Sequence, residues 1–167
     1  MSETRGRITI DHRMDPQAGD ILVLTGAIDE TARLADFLAD PSTIHRNRMI
    51  LDLGGVTFIN SLGVRDWIRM QTAAQRAGVV IELRRVPEPL VHQLNMIIAT
   101  RAASQVISFY APYTCDNCGR EEALLIDAVA HASELAAQHP PTMECRECGG
   151  PMEFNDFPER YFSFLSV

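Results

Sequence analysis

Four cysteines in two identical Cys-x-x-Cys-Gly units are the residues of this 167-residue chain whose spacing points most directly to chemistry. The units lie at 115–119 and 145–149. Two thiolates separated by two residues can bind one ion if the backbone turns tightly between them, and the following glycine tolerates the positive φ that often closes such a turn. Two such turns brought together form a tetrahedral sulfur site. The spacing therefore predicts a metal site made by Cys115, Cys118, Cys145 and Cys148.

The number of ligands indicates which metal the site would hold. Because four protein ligands leave no position open for water, the site favours one structural zinc ion over a hydrolytic centre. Iron bound by four thiolates would instead carry electrons, and it is the alternative. The sequence YTCDNCG resembles the first half of a rubredoxin loop, but Arg120 stands where rubredoxins usually carry an aromatic residue and no proline follows Cys145. Zinc is therefore the predicted metal.

The residues around the cysteines indicate a small zinc-ribbon-like domain over 111–167. We expect a strand over 122–130 and a short helical turn over 132–138. The metal either holds together a region too small to fold alone or also prepares a surface for a protein partner. The aromatic C-terminal tail FPERYFSFLSV either packs against the rest of the protein or forms an exposed docking peptide.

A serine between a predicted strand and a predicted helix is the second feature that could do chemistry. In VTFINSLGVRDW the apolar run ends at Asn60 and Ser61, and Gly63 follows. Either Asn60 or Ser61 can cap the helix by accepting a hydrogen bond from one of its first N–H groups. The same position suits an anion, since a helix N-terminus offers free N–H groups and the positive end of its dipole. Phosphorylation of Ser61 would place about two negative charges there.

The elements that must position these residues alternate between strand and helix over 1–110. Alternating or continuous apolar residues indicate strands, and apolar residues three and four positions apart indicate helices. This order predicts an α/β fold in which helices cover a sheet. The predicted strands are 7–14, 19–29, 49–59, 79–86 and 106–110, and the predicted helices are 31–40, 61–78 and 87–98.

The first region resembles a STAS domain, the fold of bacterial anti-sigma-factor antagonists, in the segments LTGAID and MILDLGGVTFINSLGV. Asp29 and Asp52 match two aspartates of the family pattern. Ser61 matches the phosphorylatable serine and Gly63 the glycine that follows it. The resemblance covers roughly 7–110 and implies a STAS-like mixed sheet covered by helices.

The resemblance also implies a function. Such modules are not enzymes; they bind a serine kinase that also holds a sigma factor, here through Asp29, Asn60, Ser61, Leu62 and Gly63. Phosphorylation of the serine abolishes binding, and a phosphatase restores it. Because Asn60 stands where the family has an aspartate, and some members act without phosphorylation, the alternative is an unphosphorylated scaffold or a subunit of a larger bacterial assembly.

Composition argues against several other classes of protein. The formal net charge is −7, and 113–167 carries ten acidic residues against three arginines, which does not suit nucleic-acid binding. No apolar run approaches the roughly 18 residues that span a bilayer, and the first residues lack the pattern of a signal peptide. We therefore expect a cytoplasmic protein without membrane insertion. The five histidines are scattered and no glycine-rich phosphate loop occurs, so no catalytic residue is predicted.

Overall fold

The computed structural model describes residues 7–39, 47–102 and 104–166. The chain has an α/β fold in which a mixed five-stranded sheet with helices is followed by an antiparallel four-stranded sheet that carries the four cysteines. The predicted fold class is confirmed at this level. Within the described ranges, no helix is both long and apolar enough to cross a membrane.

The first sheet contains the strands in chain order, with the first strand antiparallel to the second and all other neighbours parallel. Parallel neighbours need crossover connections, which the helices supply. The elements are β1 (Thr9–Asp15), β2 (Gly19–Ile28), α1 (Leu34–Ala39), β3 (Arg48–Ile59), α2 (Ser61–Arg76), β4 (Val80–Arg84), α3 (Glu88–Met96), a 3-10 turn (Ile98–Arg101) and β5 (Ser104–Val106).

Strand β3 carries the chain to the candidate serine. Its apolar residues form a nearly continuous buried run because helices pack on the sheet and β2 and β4 flank the strand on both sides. The strand ends at Ile59, which lies beside Ile28 at the end of β2. The register therefore brings the loop after β2, with Asp29 and Glu30, to the start of α2.

The second sheet is built from two hairpins. Its elements are β6 (Ser108–Cys115), β7 (Glu121–Asp127), α4 (Ala132–Ala136), β8 (Met143–Glu144), β9 (Pro151–Phe154), α5 (Pro158–Tyr161) and a 3-10 turn (Ser163–Leu165). The strand order is β7-β6-β9-β8, and every pair is antiparallel. One pair of cysteines lies at the turn of each hairpin, and the pairing of β6 with β9 places the two turns side by side.

The strand predicted over 106–110 divides between the two sheets. Val106 ends β5, whereas Ser108 begins β6. The apolar pattern of the sequence does not reveal the passage from one sheet to the other, because apolar residues on both sides of Ile107 pack in the core. Strand β6 therefore crosses residue 111, the predicted start of the second domain. The helix predicted over 31–40 begins only at Leu34, since Thr31 belongs to a turn closed by Asp29; residue 40 lies outside the described ranges.

One hydrophobic core extends through both sheets. Val86, just after β4, forms a bridge with Phe109 of β6, and both side chains are fully buried. The ring of Phe109 makes edge contacts with Phe162 and Phe164 of the tail. The expectation that the aromatic tail packs against the protein is therefore confirmed for these residues, although Phe157 at its start remains exposed.

Candidate metal centre and the start of helix α2

The two cysteine turns have the same backbone conformation. In the first, the N–H of Gly119 donates to the carbonyl of Cys115 over 2.9 Å; in the second, Gly149 donates to Cys145 over 2.8 Å. Both glycines have positive φ, 73° and 70°, as the sequence pattern predicts. The identical units thus fold into identical turns, each of which directs two sulfur atoms toward the other turn.

The four sulfur atoms form a compact cluster. All lie within 4.8 Å of one another, with 3.5 Å between the sulfurs of Cys115 and Cys148 and 3.7 Å between those of Cys118 and Cys145. A metal–sulfur bond of about 2.3 Å in a tetrahedron requires sulfur separations of about 3.8 Å. The cluster therefore fits one ion with four thiolate ligands, a geometry that zinc and iron share. No cysteine forms a disulfide.

Gly150 fits the same site through its lack of a side chain. A Cβ at this position would lie 2.8 Å from the Cβ of Asn117 and 3.3 Å from the sulfur of Cys148. The N–H of Gly150 also donates to that sulfur over 3.4 Å. Hydrogen bonds from the side chain of Asn117 and from this N–H lower the pKa of Cys148 to about 6.

Arg120 connects the two turns from outside the sulfur cluster. Its guanidinium pairs with Glu147 of the second turn and with Glu122 of β7, the latter at 3.2 Å. These two carboxylates raise the pKa of Arg120, with the hydrogen bond to Glu122 as the main cause. No pattern in the sequence indicates this role for Glu147 or Glu122, because an ion pair across two turns depends on how the hairpins meet.

At the start of α2, Asn60 is the capping residue. Its side-chain oxygen accepts a hydrogen bond from the N–H of Gly63 over 2.8 Å, and its amide nitrogen donates to the carboxylate of Glu30 over 3.0 Å. Of the two capping candidates, Asn60 therefore takes the role. Ser61 follows as the first residue of α2 with its side chain exposed, and no hydrogen bond among the described residues uses its hydroxyl.

Gly63 permits the close approach of α2 to β2. A Cβ on Gly63 would lie 2.0 Å from the carbonyl oxygen of Ile28, so no larger residue fits without movement of the backbone. Leu62 has 41% of its surface exposed beside Ser61. The start of α2 thus presents an exposed serine and an exposed leucine on a helix end that is fixed against the sheet.

Asp29 and Asp52, the two aspartates that match the STAS pattern, have different hydrogen-bonding partners. Asp29 accepts from the N–H and the hydroxyl of Thr31, at 2.8 and 2.6 Å, and the side-chain bond is the main reason that its pKa is lowered. Asp52 pairs with Arg85 at 2.7 Å. The residue that joins the loop after β2 to Asn60 is Glu30, which sequence reasoning missed because only the strand register shows that the two are adjacent.

Comparisons of the chain with protein-family models and with curated proteins give no match.

Proposed function

We propose that the four cysteines hold one structural zinc ion. The sulfur separations fit a tetrahedral centre, and four protein ligands leave no position open for a reacting water. The ion adds to the other contacts between the two turns, which include the pairing of β6 with β9 and the ion pair formed by Arg120 and Glu147. The alternative is an iron centre of the rubredoxin kind, which has the same ligand geometry. Analysis of the metal content distinguishes the two.

For the chain as a whole, we propose a non-catalytic regulatory module that binds a protein partner in the bacterial cytoplasm, in the manner of STAS-type anti-sigma-factor antagonists. The observation that carries this proposal is the fixed start of α2, where Asn60 caps the helix, Glu30 holds Asn60, and Ser61 and Leu62 remain exposed. A serine kinase that also holds a sigma factor is the partner that the motif suggests.

Ser61 is the proposed phosphorylation site. Its hydroxyl is exposed at the N-terminus of a helix of 16 residues, where free N–H groups and the helix dipole favour added negative charge. A phosphate at this position would cost little in folding free energy but would change the surface that the partner contacts. Leu62, Asp29 and Glu30 lie around the same surface and complete the proposed contact region.

Mass spectrometry of the intact protein from its own host tests both parts of the proposal. We expect the mass of one zinc ion and, in a fraction of molecules, one phosphoryl group that fragmentation assigns to Ser61. The Ser61→Ala variant should lack the phosphoryl group and keep the zinc. Iron in place of zinc would overturn the metal assignment, and an unmodified Ser61 under all growth conditions would overturn the switch.

An unphosphorylated scaffold is the second candidate, and Asn60 is the observation that favours it. The family has an aspartate immediately before the serine, whereas here an amide donates to Glu30. Binding of the same partner by wild-type protein, Ser61→Ala and Ser61→Glu with equal affinity would identify a scaffold, because a phosphorylation switch requires the glutamate variant to bind more weakly.

A further inference from the structure

Strand β7 is a regular edge strand whose outer side is unpaired in the described part of the chain. It lies at one end of the order β7-β6-β9-β8 and pairs with β6 over seven consecutive residues without a register shift. Natural proteins usually protect such edges with short strands, bulges, prolines or lysines. The sequence EEALLID contains no proline and no lysine, and its four central residues are uncharged.

The hydrogen-bond pattern identifies the backbone groups that point away from β6. The N–H of Ala128 donates to the carbonyl of Ile107 over 2.9 Å, and bonded pairs recur every second residue along an antiparallel ladder. Leu124 and Ile126 therefore bond to β6. The N–H and carbonyl groups of the intervening Ala123 and Leu125 point to the free edge.

The side chains along this edge are apolar at the centre and acidic at the ends. Leu125 has 44% of its surface exposed, and Val129 just beyond the strand has 65% exposed. Glu121 begins the strand, beside Glu122 that pairs with Arg120, and Asp127 ends it. An extended segment placed here would find backbone partners, an apolar centre and carboxylates at both ends.

The charge of the molecule indicates which charge a segment bound at this edge should carry. Residues 1–110 contain twelve acidic and twelve basic residues, so the entire net charge of −7 belongs to 111–167. The four thiolates of a zinc centre would add about two further negative charges. A cationic partner therefore gains from both local and overall electrostatics, whereas an acidic segment is repelled.

We propose that the free edge of β7 binds an extended cationic segment of another protein, which adds to the second sheet as one more strand. Main-chain hydrogen bonds to Ala123 and Leu125 supply affinity in this mode, and side chains supply specificity. A second copy of this chain fits poorly, because antiparallel pairing of two β7 strands about Leu124 would place Glu121 opposite Asp127. The proposal does not depend on the function of Ser61.

The other sheet edges are less suitable for this role. Strand β5 has three residues and β8 has two, which is too short for a ladder. Strand β1 has charged or ionisable residues at its centre, where Asp11, His12 and Arg13 follow one another. Only β7, among the described edges, combines length, regularity and an apolar centre.

Titration of the metal-loaded full chain with a synthetic peptide tests the proposal by amide NMR and calorimetry. The probe has alternating valine and threonine flanked by paired arginines, and its control has glutamates in place of the arginines. We expect chemical-shift changes centred on Ala123 and Leu125 with the arginine peptide alone. In Ala123→Pro, which removes an outward N–H without breaking the β6 ladder, the Kd should rise by about fivefold or more.

Two charge variants separate a specific edge from general attraction. Glu121→Gln should weaken binding of the arginine peptide, whereas Glu159→Gln, an equal charge change at an exposed residue of α5, should leave it unchanged. Equal weakening by both variants, shifts spread over the whole acidic surface, or no binding would overturn the proposal. Concentration-dependent dimerisation through β7 without peptide would also overturn it, in favour of self-association.

Discussion

Gly63 shows how a single missing side chain fixes the geometry of the candidate regulatory surface. Its Cα lies so close to the end of β2 that a Cβ would be 2.0 Å from the carbonyl oxygen of Ile28. The resemblance of the sequence to STAS domains marks this glycine without giving the reason for it. The structure supplies the reason: α2 and β2 contact each other at Gly63, where no side chain fits.

We expect Gly63→Ala to lower the free energy of unfolding by about 3 kcal/mol, because overpacking against backbone cannot be relieved by a rotamer change. Urea denaturation followed by Trp67 fluorescence measures this. Gly78→Ala is the matched control: Gly78 has φ +68° but no atom within 4 Å of its added Cβ, so it should cost only about 1–2 kcal/mol. Equal costs would contradict the assigned contact.

The identity of Asn60 also has an explanation in its own contacts. Its amide donates to Glu30, so an aspartate at this position would place two carboxylates about 3 Å apart in the geometry of that bond. We expect Asn60→Asp to destabilise the protein by about 1 kcal/mol at neutral pH, since the cap is kept but the bond to Glu30 becomes a repulsion.

A double-mutant cycle checks this explanation. Adding Glu30→Gln to Asn60→Asp should recover most of the lost stability, because the glutamine amide can donate to the new carboxylate. Thermal unfolding of the four proteins gives the coupling free energy. Additive effects of the two substitutions would show that Asn60 and Glu30 do not interact in solution.

At the scale of the elements, two hairpins meet so that their turns share one sulfur cluster. Gly150 lies at the contact between them, with Asn117 and Cys148 as the neighbours of its absent side chain. We expect Gly150→Ala to weaken zinc binding by about tenfold, the range typical of groups that support metal ligands. Competition with a chromophoric chelator measures the affinity.

Gly78→Ala is again the control for this second test, because Gly78 lies between α2 and β4 and belongs to neither cysteine turn. Its zinc affinity should equal that of the wild type. If Gly150→Ala also kept the wild-type affinity, the turn would have room for a side chain, and the close packing of the two hairpins would not apply to the metal-loaded protein.

At the scale of the whole molecule, the core joins the two sheets through Val86, Phe109 and the aromatic tail. Tyr161 strengthens the junction through two hydrogen bonds. Its hydroxyl donates to the backbone carbonyl of Tyr110 over 2.7 Å, and the side-chain amide of Asn95 in α3 donates to the backbone carbonyl of Tyr161 over 2.9 Å. These hydrogen bonds join α3 of the first region to β6 and α5 of the second.

We expect the two sheets to unfold in one transition. Trp67, the only tryptophan, reports on the first sheet, and the thiolate absorption of a cobalt-substituted centre reports on the second. The midpoints of the two signals in guanidinium chloride should coincide, as two-state unfolding requires. Loss of the cobalt signal well before the tryptophan signal would mean that the second sheet unfolds independently.

The sequence allows local prediction more readily than prediction of contacts between distant segments. The cysteine turns, the buried run of β3 and the helix after Asn60 are predictable because each depends on neighbouring residues. Glu30 beside Asn60, Arg120 paired with Glu147, and the split of 106–110 between two sheets depend on strand register and on how hairpins meet. No periodicity in one sequence encodes these contacts.

The unequal exposure of the four cysteines also has a kinetic consequence. Each turn contributes one buried cysteine, Cys115 or Cys145, and one exposed cysteine, Cys118 or Cys148. If the cluster holds a metal ion, we expect a competing thiol to reach it from the side of the exposed pair, so that Cys118 and Cys148 are displaced before Cys115 and Cys145. The rate of ion loss should rise with the concentration of a small competing thiol. At the same concentration, a bulkier thiol of equal affinity for the metal should remove the ion more slowly.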